Sequence, residues 1–471
     1  MAYLHGVETI HAGDVPRNVS EVKTAIIGIV GVPAPGWKGE ITPNVPVVMT
    51  KQSDIEQFGP TNAGPAFIAP LIDKMYAQFD SNLPIVIAVP VGVTTVSTAE
   101  TGEPDDGVIT LAHAGVGNVV VKSLDLATTY VEGTDYELDA LAGTITLKTS
   151  GAPTTNKKIT YQYVGNSINT SDIIGSNSAT PRTGIYTLLD AQTITGYCPK
   201  IIVAPGYSKD KQVADALVAV ANKLKGLTYI DADTATDDTV AETVAARAAT
   251  TKAFSIHEKR ANLLFPNLKS GSQEFPMSCA AAGVRARVDL DPSEGYWWSI
   301  SSHVIRGFDG LSIPVEYSIN NPSADSQLLN AAGIVTVKNV AGLKFCGNMN
   351  SSFDDNSSGG NTDHEIFEVT QTVGDVIEES IEYYSEQRID QPITTQWING
   401  LVRDVQAFLT TLTSRGAIAG GRAWYEPADN APTDLMAGKI KFRYDDAATP
   451  PADRITYMRS YNVEYLANLG K

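Results

Sequence analysis

The sequence predicts a multi-domain protein of the α/β plus α+β class, with a small all-β domain inserted into the α/β domain. Buried-type strands alternate with amphipathic helical patterns in two stretches of the chain, which is typical of a mostly parallel sheet covered by helices. Between these stretches lies a segment rich in Thr, Gly and Asp that carries short strand signals. The length of 471 residues corresponds to about three ordinary domains.

The first part of the α/β domain is predicted over residues 23–93. The run 24–31 is apolar on both faces, as expected for a central strand. Apolar residues at helical spacing follow over residues 65–79, and residues 84–91 form a second buried-type strand. The order strand, helix, strand predicts one α/β unit.

Residues 94–172 are predicted to form the inserted all-β domain. Short strand signals recur at residues 118–122, 136–138, 144–148 and 158–163. Turn signals such as Ala142-Gly143 separate them. The alternation of strand and helix resumes over residues 173–327, so the β segment interrupts one α/β domain at a loop, where insertions are tolerated.

Residues 328–451 are predicted to form a C-terminal α+β domain. Its clearest element is an amphipathic helix over about residues 395–414, which Gly416 is expected to end. Two strands are predicted after this helix, at residues 419–425 and 439–444.

The last segment, residues 452–471, follows Pro450-Pro451 and has the period-two pattern of a β-strand. The apolar side chains of one parity are Ile455, Tyr457, Tyr461, Val463 and Tyr465. A strand with an apolar face must join a sheet. The pattern leaves two acceptors open, the chain's own C-terminal domain or the sheet edge of a neighbouring molecule.

Charge and cysteine content exclude several classes of protein. The formal net charge of −18 disfavours nucleic acid and an anionic membrane surface as partners. No stretch approaches the roughly 18 apolar residues of a membrane span, so we expect no direct membrane insertion. The three cysteines are far apart and are predicted to be small buried residues in a reducing compartment: Cys198, Cys279 and Cys346. The first residues lack the features of a signal peptide, so we expect a cytoplasmic origin.

The enzymatic hypothesis that the residue types allow is a serine protease. Asp231, His257 and Ser278 supply the residue types of a catalytic triad in the order Asp, His, Ser. His257 lacks the Gly-rich surroundings that expose a catalytic imidazole. Ser278 opens a small-residue helix, where serine is an ordinary capping residue. The sequence therefore favours no catalytic residue.

No metal or cofactor site is predicted either. The six histidines show no ligand spacing, and the loop 354–359 lacks the alternating acids and the closing Glu of a calcium loop. Gly28 and Gly31 make no dinucleotide fingerprint, and no GxxxxGK[ST] motif occurs. We interpret the Trp297-Trp298 pair as core or inter-subunit packing, with a sugar platform as the weaker alternative.

Several short motifs occur in a characteristic order along most of the chain. They are His5-Gly6-Val7, the strand 22–31, residues 198–206, 276–284, 328–334 and 345–348, and the closing hairpin and strand. In this order the chain resembles the contractile tail sheath proteins of phages and of related contractile injection particles. Each motif is short and built from core and turn residues, so the shared order is the specific signal.

The resemblance implies a particular architecture. The central α/β domain would be a subtilisin-like sheath domain that carries the insertion, and the C-terminal domain would receive strands from neighbouring subunits. An N-terminal arm, residues 1–22, and a C-terminal arm, residues 452–471, would join the sheets of other copies. In the N-terminal arm the implied contact residues are His5, Gly6 and Val7. The implied receiving edge comprises Arg422, Trp424, Lys439, Ile440 and Phe442.

The resemblance also implies a function, that of a structural subunit without enzymatic activity or cofactor. Such subunits form stacked six-fold rings around an inner tube and contract to drive the tube through a target envelope. The implied partners are further copies of the chain, the inner tail tube protein, and baseplate and tail-terminator proteins. The implied location is the virion tail or a contractile particle, assembled in the host cytoplasm. Two alternatives remain, a soluble α/β hydrolase with a carbohydrate-binding β-insert and a non-contractile shell or lattice subunit.

Overall fold

The computed structural model describes residues 19–148, 154–165, 168–353 and 364–468. The β-strands of these residues are β1 Ile26–Gly31, β2 Val47–Met49, β3 Ile85–Pro90, β4 Val93–Thr95, β5 Glu100–Gly102, β6 Val108–Thr110, β7 Val116–Ser123, β8 Thr129–Tyr130, β9 Tyr136–Asp139, β10 Thr144–Leu147, β11 Lys157–Val164, β12 Ile201–Val203, β13 Leu227–Asp231, β14 Ala261–Leu264, β15 Leu268–Ser270, β16 Gln273–Phe275, β17 Gly310–Leu311, β18 Ile334–Asn339, β19 Leu343–Cys346, β20 Ile418–Trp424 and β21 Arg443–Ala448.

The helices of the described residues are of two kinds. The α-helices are α1 Ile68–Tyr76, α2 Thr170–Ile174, α3 Ala191–Thr195, α4 Lys211–Leu224, α5 Val240–Ala245, α6 Met277–Leu290, α7 Asp325–Ala331, α8 Glu368–Glu386, α9 Thr395–Arg415 and α10 Pro432–Met436. The 3-10 helices are Gln52–Phe58, Gly184–Asp190, Ala246–Ala248, Ala253–Ser255, His364–Ile366, Pro427–Asp429 and Val463–Asn468.

The chain divides into two compact units. The larger comprises Thr24–Thr372 with Pro450–Lys471, and the smaller comprises Met1–Lys23 with Val373–Thr449. The larger unit is built on an eight-stranded sheet of order β19-β18-β14-β13-β12-β1-β3-β2. Its six inner strands run parallel, which confirms the predicted mostly parallel sheet. The two outer strands, β2 and β19, run antiparallel.

Strand β1 lies inside this sheet, between β12 and β3, and it is apolar on both faces. All six of its residues are buried. A Cβ atom at Gly31 would contact Ile68 of α1, whereas one at Gly28, on the opposite face, would contact Leu188 of the 3-10 helix Gly184–Asp190. Helical segments therefore cover both faces of the strand, as a parallel sheet requires.

The central sheet continues beyond residue 328, where the sequence predicts the start of the C-terminal domain. Strand β18 pairs in parallel with β14, through Leu263 and Ile334, and β19 then pairs antiparallel with β18. The first four residues of β18 are buried, as in the other inner strands. The central sheet thus continues past residue 327, and the larger unit extends to Thr372 before it ends.

The segment between β3 and α2 folds into antiparallel sheets, as its strand signals predict. Strands β6, β10 and β9 form one sheet, and β4, β11, β7 and β8 form another, in which β5 also pairs with β11. Their inward side chains share one apolar cluster that includes Ile109, Val121 and Ile145. Gln162 of β11 joins this segment to the rest of the larger unit, because its amide accepts from Ile41 N and donates to Ile41 O, each at 2.8 Å.

The smaller unit contains α9, part of α8, α10 and the strands β20 and β21. Helices α8 and α9 are joined where Tyr384 Oη donates to Asp404 Oδ2 at 2.5 Å. Burial and this carboxylate together raise the pKa of Tyr384 to about 12. Helix α9 ends at Gly416 as predicted, since that residue adopts a φ of 83° in the left-handed region.

A buried ionic cluster ties α6 to the surrounding larger unit. The Arg285 guanidinium is 2.5 Å from Asp289 and 3.4 Å from Glu368, and all three side chains are nearly inaccessible to solvent. Tyr229 Oη donates to the Glu368 carboxylate at 3.1 Å. Burial raises the pKa of Glu368, and the Arg285 charge opposes that shift.

We predict that Arg285→Met lowers the free energy of unfolding of the larger unit by about 3–5 kcal/mol, because it leaves two buried carboxylates without their cation. The matched control is Lys269→Met, which removes the cation of an exposed pair with Glu274. That change should cost less than about 1 kcal/mol. Urea unfolding followed by tryptophan fluorescence measures both variants, and equal midpoints for the two would contradict a structural role of the cluster.

Candidate functional site

The strands β20 and β21 form an antiparallel hairpin that packs against α9. Arg422 pairs with Asp445, and Trp424 pairs with Arg443. In the part of the chain that the structure describes, this sheet has two strands. A two-stranded sheet is marginal by itself, and its outer edges carry backbone groups that a further strand can use. The hairpin is therefore the candidate acceptor for a strand from another molecule.

The two faces of the hairpin differ in character. A Cβ atom at Gly421 would lie 3.2 Å from Leu409 Cβ of α9, so Gly421 and its cross-strand partner Asp446 are on the face toward α9. The opposite face is charged. There the Arg422 guanidinium lies 4.2 Å from the Trp424 ring centre and 3.5 Å from Asp445.

The outer edge of β20 is occupied by a side chain of the same unit. Gln406 of α9 donates from Nε2 to Gly421 O at 3.1 Å, and Ala423 N donates to Gln406 Oε1 at 3.0 Å. These two residues are two positions apart, so their backbone groups point to the same side of the strand, away from β21. This contact could not be predicted from the sequence, since a glutamine on the flank of an amphipathic helix is usually solvated.

The predicted receiving residues fall in two different places. Arg422 and Trp424 lie on β20 as predicted, but three others precede β21: Lys439, Ile440 and Phe442. The second strand begins at Arg443, four residues later than predicted. The reason is local, because the Asn430 amide bonds both backbone groups of Lys441, accepting from its N at 2.7 Å and donating to its O at 3.0 Å.

The C-terminal segment forms no strand over residues 450–462, and a 3-10 helix follows at Val463–Asn468. The side chains of the predicted apolar face are exposed: Ile455, Tyr457, Tyr461, Val463 and Tyr465. Tyr457 retains 89% of its accessible surface and Tyr465 retains 75%. The predicted strand is therefore not formed within a single chain, because a strand needs a partner that supplies its backbone bonds. The five alternating apolar side chains therefore remain exposed to solvent.

The N-terminal residues His5, Gly6 and Val7 lie outside the described residues. The segment that follows them is held within the smaller unit. Val19 is buried, Val22 N donates to Ser380 Oγ at 3.1 Å, and Glu21 forms an ion pair with Arg415. Helices α8 and α9 thus fix the place where the N-terminal segment joins this unit.

The three residues of the hypothetical protease triad do not assemble. Ser278 Oγ donates directly to Asp231 Oδ2 at 2.5 Å, and Ser208 Oγ donates to the same oxygen at 2.9 Å. Both Asp231 and Ser278 are buried. His257 instead lies 3.0 Å from the Arg247 guanidinium. Burial raises the pKa of Asp231, and the bonds from Ser278 and Ser208 oppose that rise. This arrangement links β13, α6 and the loop before α4, and the His257 imidazole contacts Arg247 instead of the Ser278 hydroxyl.

The other candidate features from the sequence are the possible metal sites, the Trp297-Trp298 pair and the cysteines. Among the described residues no group of three His, Cys, Asp or Glu side chains could hold a metal ion, and the loop 354–359 lies outside them. Trp297 packs edge-on against Tyr296 at 5.1 Å, and Trp298 is half exposed. Two of the cysteines are buried, and all three are free thiols. No helix in the described part of the chain has both the length and the apolar character needed to cross a bilayer.

Comparisons with known proteins agree with this architecture. A sequence model of the phage tail sheath protein central domain matches residues 181–351, and a model of a protein family of unknown function matches residues 87–170. The tail sheath protein of Burkholderia phage BcepMu is 37% identical over 486 residues, which cover 99% of this chain and 98% of that protein. The tail sheath protein of Escherichia phage P2 is 26% identical, with 99% and 98% covered.

Among solved structures, the sheath complex of the extracellular contractile injection system PVC in its contracted state superposes with a TM-score of 0.60. The match covers 99% of each chain at 13% identity. The fold is thus the mixed α/β, multi-sheet fold of contractile sheath structures.

The chain belongs to the tail sheath protein family. It is a structural tail sheath subunit, which confirms the predicted class of protein. Its relatives are structural tail proteins of virions and do not point to a catalytic function. The central-domain match extends through β18 and β19, in agreement with their pairing in the central sheet.

We predict that Ser278→Ala lowers the free energy of unfolding by about 1–3 kcal/mol, because the buried Asp231 carboxylate loses a hydrogen-bond donor. The matched control is Ser293→Ala, which removes the donor of an exposed Ser–Asp pair with Asp291. Its cost should stay within about 0.5 kcal/mol. Wild-type protein should also fail to react with a fluorophosphonate probe, and labelling at Ser278 would reinstate the protease hypothesis.

Proposed function

We propose that the subunit polymerises by exchange of its terminal segments. The C-terminal arm, residues 452–471, leaves its own subunit after Pro450-Pro451 and adds to the hairpin of β20 and β21 in a neighbour. The N-terminal arm, predicted over residues 1–22, joins the sheet of another copy through the part that precedes Val19, because Val19, Glu21 and Val22 contact their own subunit. The subunits form six-fold rings that stack in a helical sheath around an inner tube, and contraction of the sheath drives the tube through a target envelope.

The exposed alternation in the C-terminal segment is the observation that supports this proposal most. Five large side chains of one parity lie in solvent although their spacing suits one face of a strand. Burying each against a partner contributes roughly 1.5–3 kcal/mol before the costs of association. A monomer leaves this contribution unused, whereas strand addition to a second copy recovers it together with a ladder of backbone hydrogen bonds.

The larger unit supplies a rigid body for the lattice in this scheme. Its parallel sheet is covered on both faces and carries internal polar clusters around Arg285 and Asp231. We assign it to the subtilisin-like sheath domain, formed by residues 23–93 together with the chain from 173 to Thr372, and the inserted all-β domain to residues 94–172. The smaller unit, whose chain resumes at Val373, provides the acceptor hairpin.

The work of contraction comes from the lattice, and the subunit hydrolyses no nucleotide. The extended lattice is metastable, and its subunits move as nearly rigid bodies while the arms keep them connected. A bias of about 1–2 kcal/mol per subunit, modest for a two-state element, adds up over the many copies of a sheath. Hinge freedom is needed only beside the exchanged strands, where Pro450-Pro451 prevents a regular element.

The remaining partners follow from the same role. The sheath surrounds the inner tail tube protein and is bounded by baseplate and tail-terminator proteins. Assembly takes place in the host cytoplasm, and the finished location is the virion tail or a comparable contractile particle. Chains of similar fold have been solved in the baseplate of the anti-feeding prophage and in its contracted helical sheath, which supports an oligomeric assembly of this kind.

We predict that replacing one parity of the arm abolishes polymerisation. The variant Tyr457→Ser/Tyr461→Ser/Val463→Ser should remain a folded monomer with an unchanged unfolding midpoint, because these side chains are exposed in the free subunit. It should form no tubes in negative-stain electron microscopy. Deletion of residues 452–471 should give the same result.

The control for this prediction carries the same number of serines on the opposite parity, as Thr456→Ser/Met458→Ser/Asn462→Ser. It should form tubes of normal length, because these side chains belong to the other face of the strand. Normal tubes from the deletion would refute the arm exchange. A lattice that shows one form only, before and after a contraction stimulus such as mild urea, would instead indicate a non-contractile shell.

A further inference from the structure

We propose that the neighbour's C-terminal arm adds to the outer edge of β21, with its apolar side chains toward α9 and with Arg459 opposite Asp446. The inference rests on the proposed strand exchange and specifies its acceptor edge, face and register. Edge, face and register each follow from a different feature of the smaller unit.

The edge follows from Gln406. Its amide bonds Gly421 O and Ala423 N on the outer side of β20, in the positions that the backbone of an added strand would take. A strand arriving at β20 must break both bonds and displace the side chain. A strand arriving at β21 breaks neither, so the hairpin accepts the arm on the β21 side.

The face follows from the side chains beside β21. Away from α9, the hairpin presents ion pairs of Arg422 with Asp445 and of Arg443 with Asp429. Toward α9 it presents aromatic surface, where the Phe442 ring lies 6.1 Å from Trp397 of α9 and 5.9 Å from Tyr425.

Successive residues of β21 alternate between these two faces. Tyr444 has the parity of Phe442 and therefore lies on the side toward α9. Side chains directly opposite in neighbouring strands share a face, so the apolar parity of the arm belongs on the aromatic side.

The register follows from charge. On the apolar parity of the arm, Arg459 interrupts the run between Tyr457 and Tyr461. On the α9 side of β21, the exposed Asp446 stands between Tyr444 and Ala448. Placing Arg459 opposite Asp446 sets one tyrosine of the arm against Tyr444 and the other against Ala448, whether the added strand runs parallel or antiparallel. Opposite charges and paired aromatic rings both favour this register.

Disulfide trapping tests the edge and the register together. Two cysteine pairs are introduced into the full chain, Arg459→Cys with Asp446→Cys on β21 and Arg459→Cys with Ala423→Cys on β20. The background carries Cys198→Ser, because the other two native thiols are buried. Assembled tubes are oxidised and run on denaturing gels without reductant, with each single-cysteine variant as control. The β21 pair should give a ladder of covalent multimers, and the β20 pair should give monomer.

Any other outcome of the disulfide trapping contradicts the acceptor edge, the register or the strand exchange itself. A ladder from the β20 pair alone refutes the acceptor edge but keeps strand exchange. Cross-linked species that stay monomeric show pairing within one chain and refute the exchange itself. Tubes in which neither pair cross-links refute the register.

Charge reversal keeps the register testable if a cysteine variant fails to assemble. Arg459→Asp or Asp446→Arg alone should raise the protein concentration at which tubes form about twofold to fivefold, and the double reversal should restore it. The matched control combines Asp446→Arg with Arg454→Asp, a reversal on the other parity of the arm, and should restore nothing. A double reversal no better than either single change overturns the register while leaving the arm deletion to judge the exchange.

Gln406→Ala tests separately whether that side chain blocks strand addition at the outer edge of β20. Without the amide, the outer groups of β20 become available to an added strand, so the β20 cysteine pair should begin to yield multimers. A β20 pair that stays monomeric in this background would show that something other than Gln406 selects the edge.

Discussion

Backbone hydrogen-bonding capacity at a strand edge is the constraint on which the rest of this molecule depends. The smaller unit presents a two-stranded hairpin, and the C-terminal segment presents an uncovered alternation of apolar side chains. Neither is a stable end state in water, because a two-stranded sheet is marginal and large exposed apolar side chains favour association. In the strand exchange proposed above, the arm of one subunit gains backbone partners and the hairpin of another subunit gains a third strand.

The larger unit differs, because two of its buried ionic clusters are satisfied within the unit. Asp231 receives hydrogen bonds from two serines, and Arg285 lies between two carboxylates. Such clusters contribute little net stability compared with apolar packing, but breaking one of their members is costly, so they favour one arrangement of the surrounding elements. A body that transmits force without deforming needs this property. The residue types of a protease triad are present in the chain, yet they serve the core.

Sequence patterns predicted correctly those helices and strands whose pattern lies within the element itself. The apolar run of β1, the helix that ends at Gly416 and the strands of the inserted segment all appear close to their predicted places. The differences arose where contacts between residues distant in sequence determine the bounds of a strand or the sheet to which it belongs. Strand β18 belongs to the central sheet because it pairs with β14, far away in sequence, and β21 begins late because Asn430 takes the backbone bonds of Lys441. Gln406 could not be recognised at all, because only the fold brings it to the edge of β20.

Strand addition also explains how such assemblies tolerate sequence change. A ladder of backbone bonds requires alternation and length but few particular side chains, because every residue except proline offers the same donor and acceptor. The fold can persist at 13% identity to the PVC sheath chain for the same reason that cores tolerate repacking. Specificity must then come from a small number of positions that select edge, face and register. In the arrangement proposed above, the Gln406 amide on the edge of β20 and the Arg459 charge within the apolar alternation make that selection.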